Sequence, residues 1–100
     1  MSNKVEKKDD ESLEKVTGGF TSGDGQDIAE WYYWPFGNND CYFHILSVVG
    51  NKVYGHYIYR YSRDGSINYD ANYSRTISQL VDWSAAYYIP SWVTDYENTH

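Results

Sequence analysis

One hundred residues make room for one small domain, and a chain of that size buries a core with little margin. The formal charge is −6 and the eight Lys and Arg are scattered, which argues against nucleic acid and against an anionic membrane surface as partners. A single cysteine, Cys41, excludes an intramolecular disulfide, and every apolar run is too short to cross a bilayer as a helix. The composition then breaks at Gly18-Gly19. Residues 1–19 hold four Lys, five acidic residues and no aromatic, whereas residues 20–100 hold all nineteen aromatics. The first segment has too little apolar surface for a core and reads as disordered or marginally helical. Val5, Leu13 and Val16 fall on one side of a helix, Glu11 and Lys15 form an i,i+4 pair, and Gly18 stands where glycine ends helices. No apolar stretch follows the start of the chain, so a Sec-type signal peptide is not expected.

The run "LEKVTGG", Leu13 to Gly19, resembles the double-glycine leader of bacteriocin and peptide-pheromone precursors. Leu13 and Val16 stand seven and four positions before the cut, where that family carries Leu and Val or Ile. The family's acidic position before the Leu is Ser12 here, and its further apolar position is Lys8. The resemblance implies that the leader docks through Val5, Leu13 and Val16 on the cysteine-peptidase domain of an ABC transporter. It implies cleavage between Gly19 and Phe20, so that Gly18, Gly19 and Phe20 form the cleavage site. Two glycines suit a narrow cleft that admits backbone and excludes any Cβ. The resulting division is a leader of residues 1–19 and a mature aromatic-rich domain of residues 20–100.

In the mature part, "TSGDGQD" from Thr21 is a polar spacer, and Trp31–Trp34 is a short strand stopped by Pro35. "GNND" is turn chemistry. Cys41–Val49 reads as a strand, Gly50-Asn51 as a two-residue hairpin turn, and "VYGHYIYRYS" as the returning strand. A straight register from that turn pairs Val48 with Val53, His44 with Tyr57 and Tyr42 with Tyr59, and it sends His44 and His56 to opposite faces. Asp64-Gly65 leads into a third strand at about Ser66–Tyr73. From Thr76 the apolar period becomes helical, through Ile77, Leu80, Val81, Ser84, Ala85 and Tyr88, with Thr76 and Gln79 as a capping box and Pro90 as the stop. Trp92 and Tyr96 in the tail are expected to dock back and the last residues to fray. The expected fold is α+β, a small antiparallel meander of about three strands with one C-terminal helix.

The candidate sites follow from this layout. With His44 and His56 on opposite faces, no metal site or cofactor is expected, and Cys41 finds no histidine partner for nucleophilic catalysis. No carboxylate pair for hydrolysis stands out, so the chain is not read as an enzyme. Cys41 is read as a buried or idle thiol, with an intermolecular disulfide left open. Twelve tyrosines exceed what a small core needs to hide, which makes Trp31, Trp34, Tyr57, Tyr59 and Tyr61 a candidate binding surface, beside the plainer reading that aromatics fill the core.

The leading functional expectation is a secreted bacteriocin-like peptide, cytoplasmic as its precursor, whose mature part binds an envelope protein or glycan. The acidic charge and the signs of folding argue against simple pore formation. The alternatives are an exported binding or adhesion module that does not kill, and a cytoplasmic immunity-type protein.

Overall fold

The computed structural model describes residues 14–15 and 19–100. Val5, Leu13, Val16 and Gly18 lie outside the described residues. In chain order the elements are β1 (Glu14–Lys15), β2 (Gly19–Thr21), β3 (Asp27–Ala29), β4 (Trp31–Trp34), β5 (Asp40–Val49), β6 (Lys52–Arg60) and β7 (Ile67–Thr76). A 3-10 helix (Ile77–Asp82) follows, then β8 (Ser84–Ala85), β9 (Tyr88–Ile89) and helix α1 (Ser91–Thr99). The main sheet has five antiparallel strands in the order β7-β6-β5-β4-β8. Two small antiparallel pairs, β2 with β3 and β1 with β9, flank it. The molecule is therefore mostly β, and the expected α+β meander of three strands is corrected to a larger sheet.

The sheet is covered on both faces, which explains why neither face of β5 and β6 is polar throughout. On the first face Cys41, Phe43, Ile45 and Val53 pack with Ile28 of the β2–β3 hairpin, Leu80 of the 3-10 helix, and Trp83. On the second face Trp31, Tyr42 and Ile58 pack with Ile89 of β9 and Val93 of α1. Alternation along β5 sends Cys41, Phe43 and Ile45 one way and Tyr42 the other, as a pleated strand requires.

The helix expected from Thr76 is the second correction. Its capping box is present, with the Thr76 N–H donating to Gln79 Oε1 at 2.9 Å, but it opens a short 3-10 helix. The residues that turn inward are Ile77, Leu80 and Trp83, three apart, as a helix of three residues per turn demands. Val81, which an α-helical face would bury, is 82% exposed. The chain then returns to extended structure because β4 still has a free edge, which Ser84 and Ala85 take by pairing with Tyr33 and Tyr32. Pro90 does not end a helix here. It stands at the N-cap of α1, with backbone angles in the extended region, and the tail expected to fray is helical through Thr99.

Gly50-Asn51 does form the hairpin turn, and Val48 pairs with Val53 as the straight register requires. Between Ile45 and Ser47, however, the register shifts by one, with Leu46 as the extra residue of a bulge. Beyond it Ile45 pairs with Gly55, His44 with His56, and Phe43 with Tyr57. Gly55 makes the bulge affordable in space, because a Cβ there would lie 1.8 Å from the carbonyl oxygen of His44. A one-residue slip turns every later side chain to the opposite face. The consequence is that His44 and His56 stand side by side, contrary to the straight-register expectation.

Candidate functional site

Three elements and the residue between β3 and β4 bring the polar cluster together. His44 comes from β5, His56 from β6, Glu97 from α1, and Glu30 from the step between β3 and β4. Glu97 lies one helical turn beyond the buried Val93, so the contact that seats α1 on the sheet also aims this carboxylate at the histidines. Glu97 Oε2 accepts hydrogen bonds from His44 Nδ1 at 2.5 Å and from His56 Nδ1 at 2.7 Å. Glu30 Oε2 accepts from His44 Nε2 at 2.9 Å. With a carboxylate on each ring nitrogen, His44 donates from both and is the imidazolium in this state. Burial opposes a charge on His44, but the hydrogen bonds to Glu97 and Glu30 outweigh it and lift its pKa above the ordinary histidine value. Burial likewise opposes ionisation of Glu97, and the hydrogen bonds from His44 and His56 overcome it and hold its pKa below the usual carboxylate range.

The rings are fixed by their neighbours. Trp31 stacks flat on His44, with centroids 4.0 Å apart and planes within 5°. Tyr69 meets His56 edge-on at 5.3 Å. Side-chain exposures of 15% for His44, 23% for His56 and 12% for Glu97 leave the cluster shielded yet in reach of solvent. Among the described residues, His44, His56 and Glu97 are the group whose donor atoms converge closely enough to hold a metal ion.

The expected aromatic surface is divided by the sheet. Trp31 is 2% exposed beneath α1, so it cannot join a recognition face. Trp34, Tyr57 and Tyr59 lie on the other face, packed against the first core cluster. There the rings form a connected row: Tyr57 stacks on Tyr73 at 4.3 Å and on Tyr59 at 4.8 Å, Tyr59 meets Tyr61 at 5.4 Å, and Trp34 meets Trp83 at 5.3 Å. Tyr57, Tyr59 and Tyr61 are half-buried, so they serve the core as much as the surface. On the same side, an open groove of about 800 Å³ runs between the β2–β3 turn, the Gly50-Asn51 turn and the 3-10 helix. Among the described residues, Asp24 is the charged one in its lining.

Gly19 and Phe20 lie in β2, paired with Ala29 and Ile28. A Cβ at Gly19 would stand 2.6 Å from the Ile28 carbonyl oxygen, so the fold itself asks for glycine at this position. Cys41 is 1% exposed, which closes the route to an intermolecular disulfide in the folded state. Burial pushes its thiol pKa up, against the opposing pull of a hydrogen bond with Tyr57. The folded protein is therefore expected to react with a thiol-specific disulfide reagent at neutral pH more than about a hundredfold more slowly than the same chain in urea. Equal rates would place Cys41 at the surface.

Compared with protein-family models, with curated proteins and with solved structures, the chain finds no match.

Proposed function

We propose that this chain is the precursor of an exported bacteriocin-like polypeptide. Its first nineteen residues direct it to a peptidase-containing ABC transporter, and cleavage between Gly19 and Phe20 releases a folded domain that binds an envelope protein or glycan outside the cell. The observation that carries this reading is the spacing of Leu13 and Val16 ahead of Gly18-Gly19, at the point where the aromatic composition begins.

Two features of the fold fit that division. Among the described residues, the buried members of both core clusters lie between Ile28 and Val93, on the mature side of the Gly19–Phe20 bond. Removal of residues 1–19 costs the β1–β9 pairing and the Gly19–Ala29 pair, while Phe20 and Thr21 keep Ile28 and Asp27 as partners. The scissile bond lies within β2, so the peptidase acts on the chain before β2 closes on β3.

The test is the intact mass of material secreted by producing cells. A species beginning at Phe20 is the expected result, and Leu13→Lys is expected to abolish its appearance. An uncut chain retained inside the cells, or secretion indifferent to Leu13→Lys, overturns the reading. Growth inhibition of related bacteria by the secreted domain then separates an antagonist from a module that only adheres.

A further inference from the structure

We infer that His44, His56 and Glu97 form a divalent transition-metal site, of the kind that takes Zn²⁺, with Glu30 orienting His44 from behind. The inference stands on the geometry of the sheet and α1 and is independent of how the chain is exported.

Three observations carry it. First, the donor atoms converge. One ligand atom from each of the three residues lies within 4.8 Å of the other two, and the Nδ1 atoms of His44 and His56 both contact Glu97 Oε2. Ligand atoms around tetrahedral zinc, at bond lengths of about 2.0–2.1 Å, stand about 3.3 Å apart. The present contacts of 2.5 and 2.7 Å to Glu97 therefore need to open by less than about 1 Å, and donor atoms up to 4.8 Å apart need to close by up to about 1.5 Å, small adjustments of the glutamate and the histidine rings.

Second, the donor chemistry is right. Two imidazole nitrogens and one carboxylate oxygen are a borderline set that suits zinc better than calcium or magnesium, which prefer oxygen alone. A metal on His44 Nδ1 needs the lone pair there and the proton on Nε2. Glu30 Oε2, 2.9 Å from Nε2, selects that tautomer. A carboxylate behind a ligating histidine is the usual second layer of a zinc centre, where it fixes the ring and raises its basicity. Trp31, stacked on His44, limits the ring's rotation further.

Third, the site is built from three separate stretches of chain that meet only on folding. His44 and His56 face each other across β5 and β6 because of the Leu46 bulge, and Glu97 arrives fifty-three residues later on α1. Three protein ligands leave the fourth tetrahedral position to water or to an atom of a bound partner. In the metal-free state the same residues close on one another through hydrogen bonds, which satisfies the buried polar groups without the ion.

The experiment is calorimetric titration of the full chain, freed of metal by chelator, with Zn²⁺ alone. Uptake of one equivalent is the expected result, with affinity reduced at least about a hundredfold by Glu97→Gln and by His56→Gln, and about tenfold or more by Glu30→Gln. Circular dichroism checks that each variant is folded. Co²⁺ added to the unaltered protein gives a readout that needs no variant, and the intense visible absorption of a tetrahedral site is expected. Failure of the unaltered chain to take up zinc, absence of the tetrahedral Co²⁺ spectrum, or unchanged zinc affinity in folded Glu97→Gln and His56→Gln overturns the site and leaves a hydrogen-bonded cluster.

Discussion

Gly55→Ala is expected to destabilise the protein by at least about 3 kcal/mol, the upper end of what forced overpacking costs, although it adds one methyl group in mid-strand. That methyl carbon would stand 1.8 Å from the His44 carbonyl oxygen and 2.8 Å from the carbonyl carbon. Both atoms are backbone, so no side chain can swing aside. Relief requires β5 and β6 to separate at the bulge or to slide back to the straight register. Sliding back sends Phe43 and Ile45 away from the first core cluster and parts His44 from His56, so the alternative is costly too. Gly23→Ala is the control, because a Cβ at Gly23 meets nothing within 4 Å. Urea unfolding of the two variants makes the comparison, with stability read from the midpoint at unchanged slope. A Gly55→Ala protein within about 0.5 kcal/mol of the parent, inside the range of an ordinary surface change, is incompatible with the bulged pairing.

The same glycine marks where sequence reasoning succeeded and where it failed. The alternating apolar residues of β5 and β6 and the Gly50-Asn51 turn between them are local signals, and they predict the strands and the first pairs of the register correctly. The register beyond the turn is not local. It depends on whether an extra residue is accommodated, and the sign of that was a lone glycine inside "VYGHYIYR", a common mark of a bulge. Taking the pairing as straight put the two histidines on opposite faces and hid the cluster. Glu97 was hidden for another reason. "SWVTDYENT" carries few apolar residues, and its helix is held by Val93 against the sheet, a tertiary contact that periodicity in so polar a stretch does not reveal. Between Thr76 and Tyr88 the period itself misled. Spacings of three and four both fit a helix, and only the burial of Leu80 and Trp83 with the exposure of Val81 distinguishes the tighter turn and the return to strand. The aromatic excess was plain in the composition. Its division between two covered faces was not, because Trp31 and Trp34 are separated by strand alternation.

The largest effect of a single side-chain truncation is expected at Phe43. Phe43→Ala is expected to cost about 3–5 kcal/mol, the range for a fully buried aromatic whose cavity the surroundings fill only in part. Phe43 is 0% exposed at the centre of β5. Its ring meets Tyr73 edge-on at 5.0 Å and Trp83 at 5.8 Å, so truncation also removes aromatic contacts worth about 0.5–1.5 kcal/mol each beyond the area they bury. These neighbours belong to β7 and to the segment after the 3-10 helix, so the cavity loosens three parts of the first core at once. A domain of this length has a total stability of roughly 5–15 kcal/mol, and the variant is therefore expected to lose a large share of it and to melt well below the parent. Val81→Ala is the informative companion. Under an α-helix from Thr76 its side chain belongs to the core, whereas here it is 82% exposed and its truncation is expected to stay within about 0.5 kcal/mol of the parent. Thermal unfolding of both variants beside the parent decides the matter. A Val81→Ala loss comparable to that of Phe43→Ala restores the α-helix and removes the 3-10 turn with the β8 pairing that follows it.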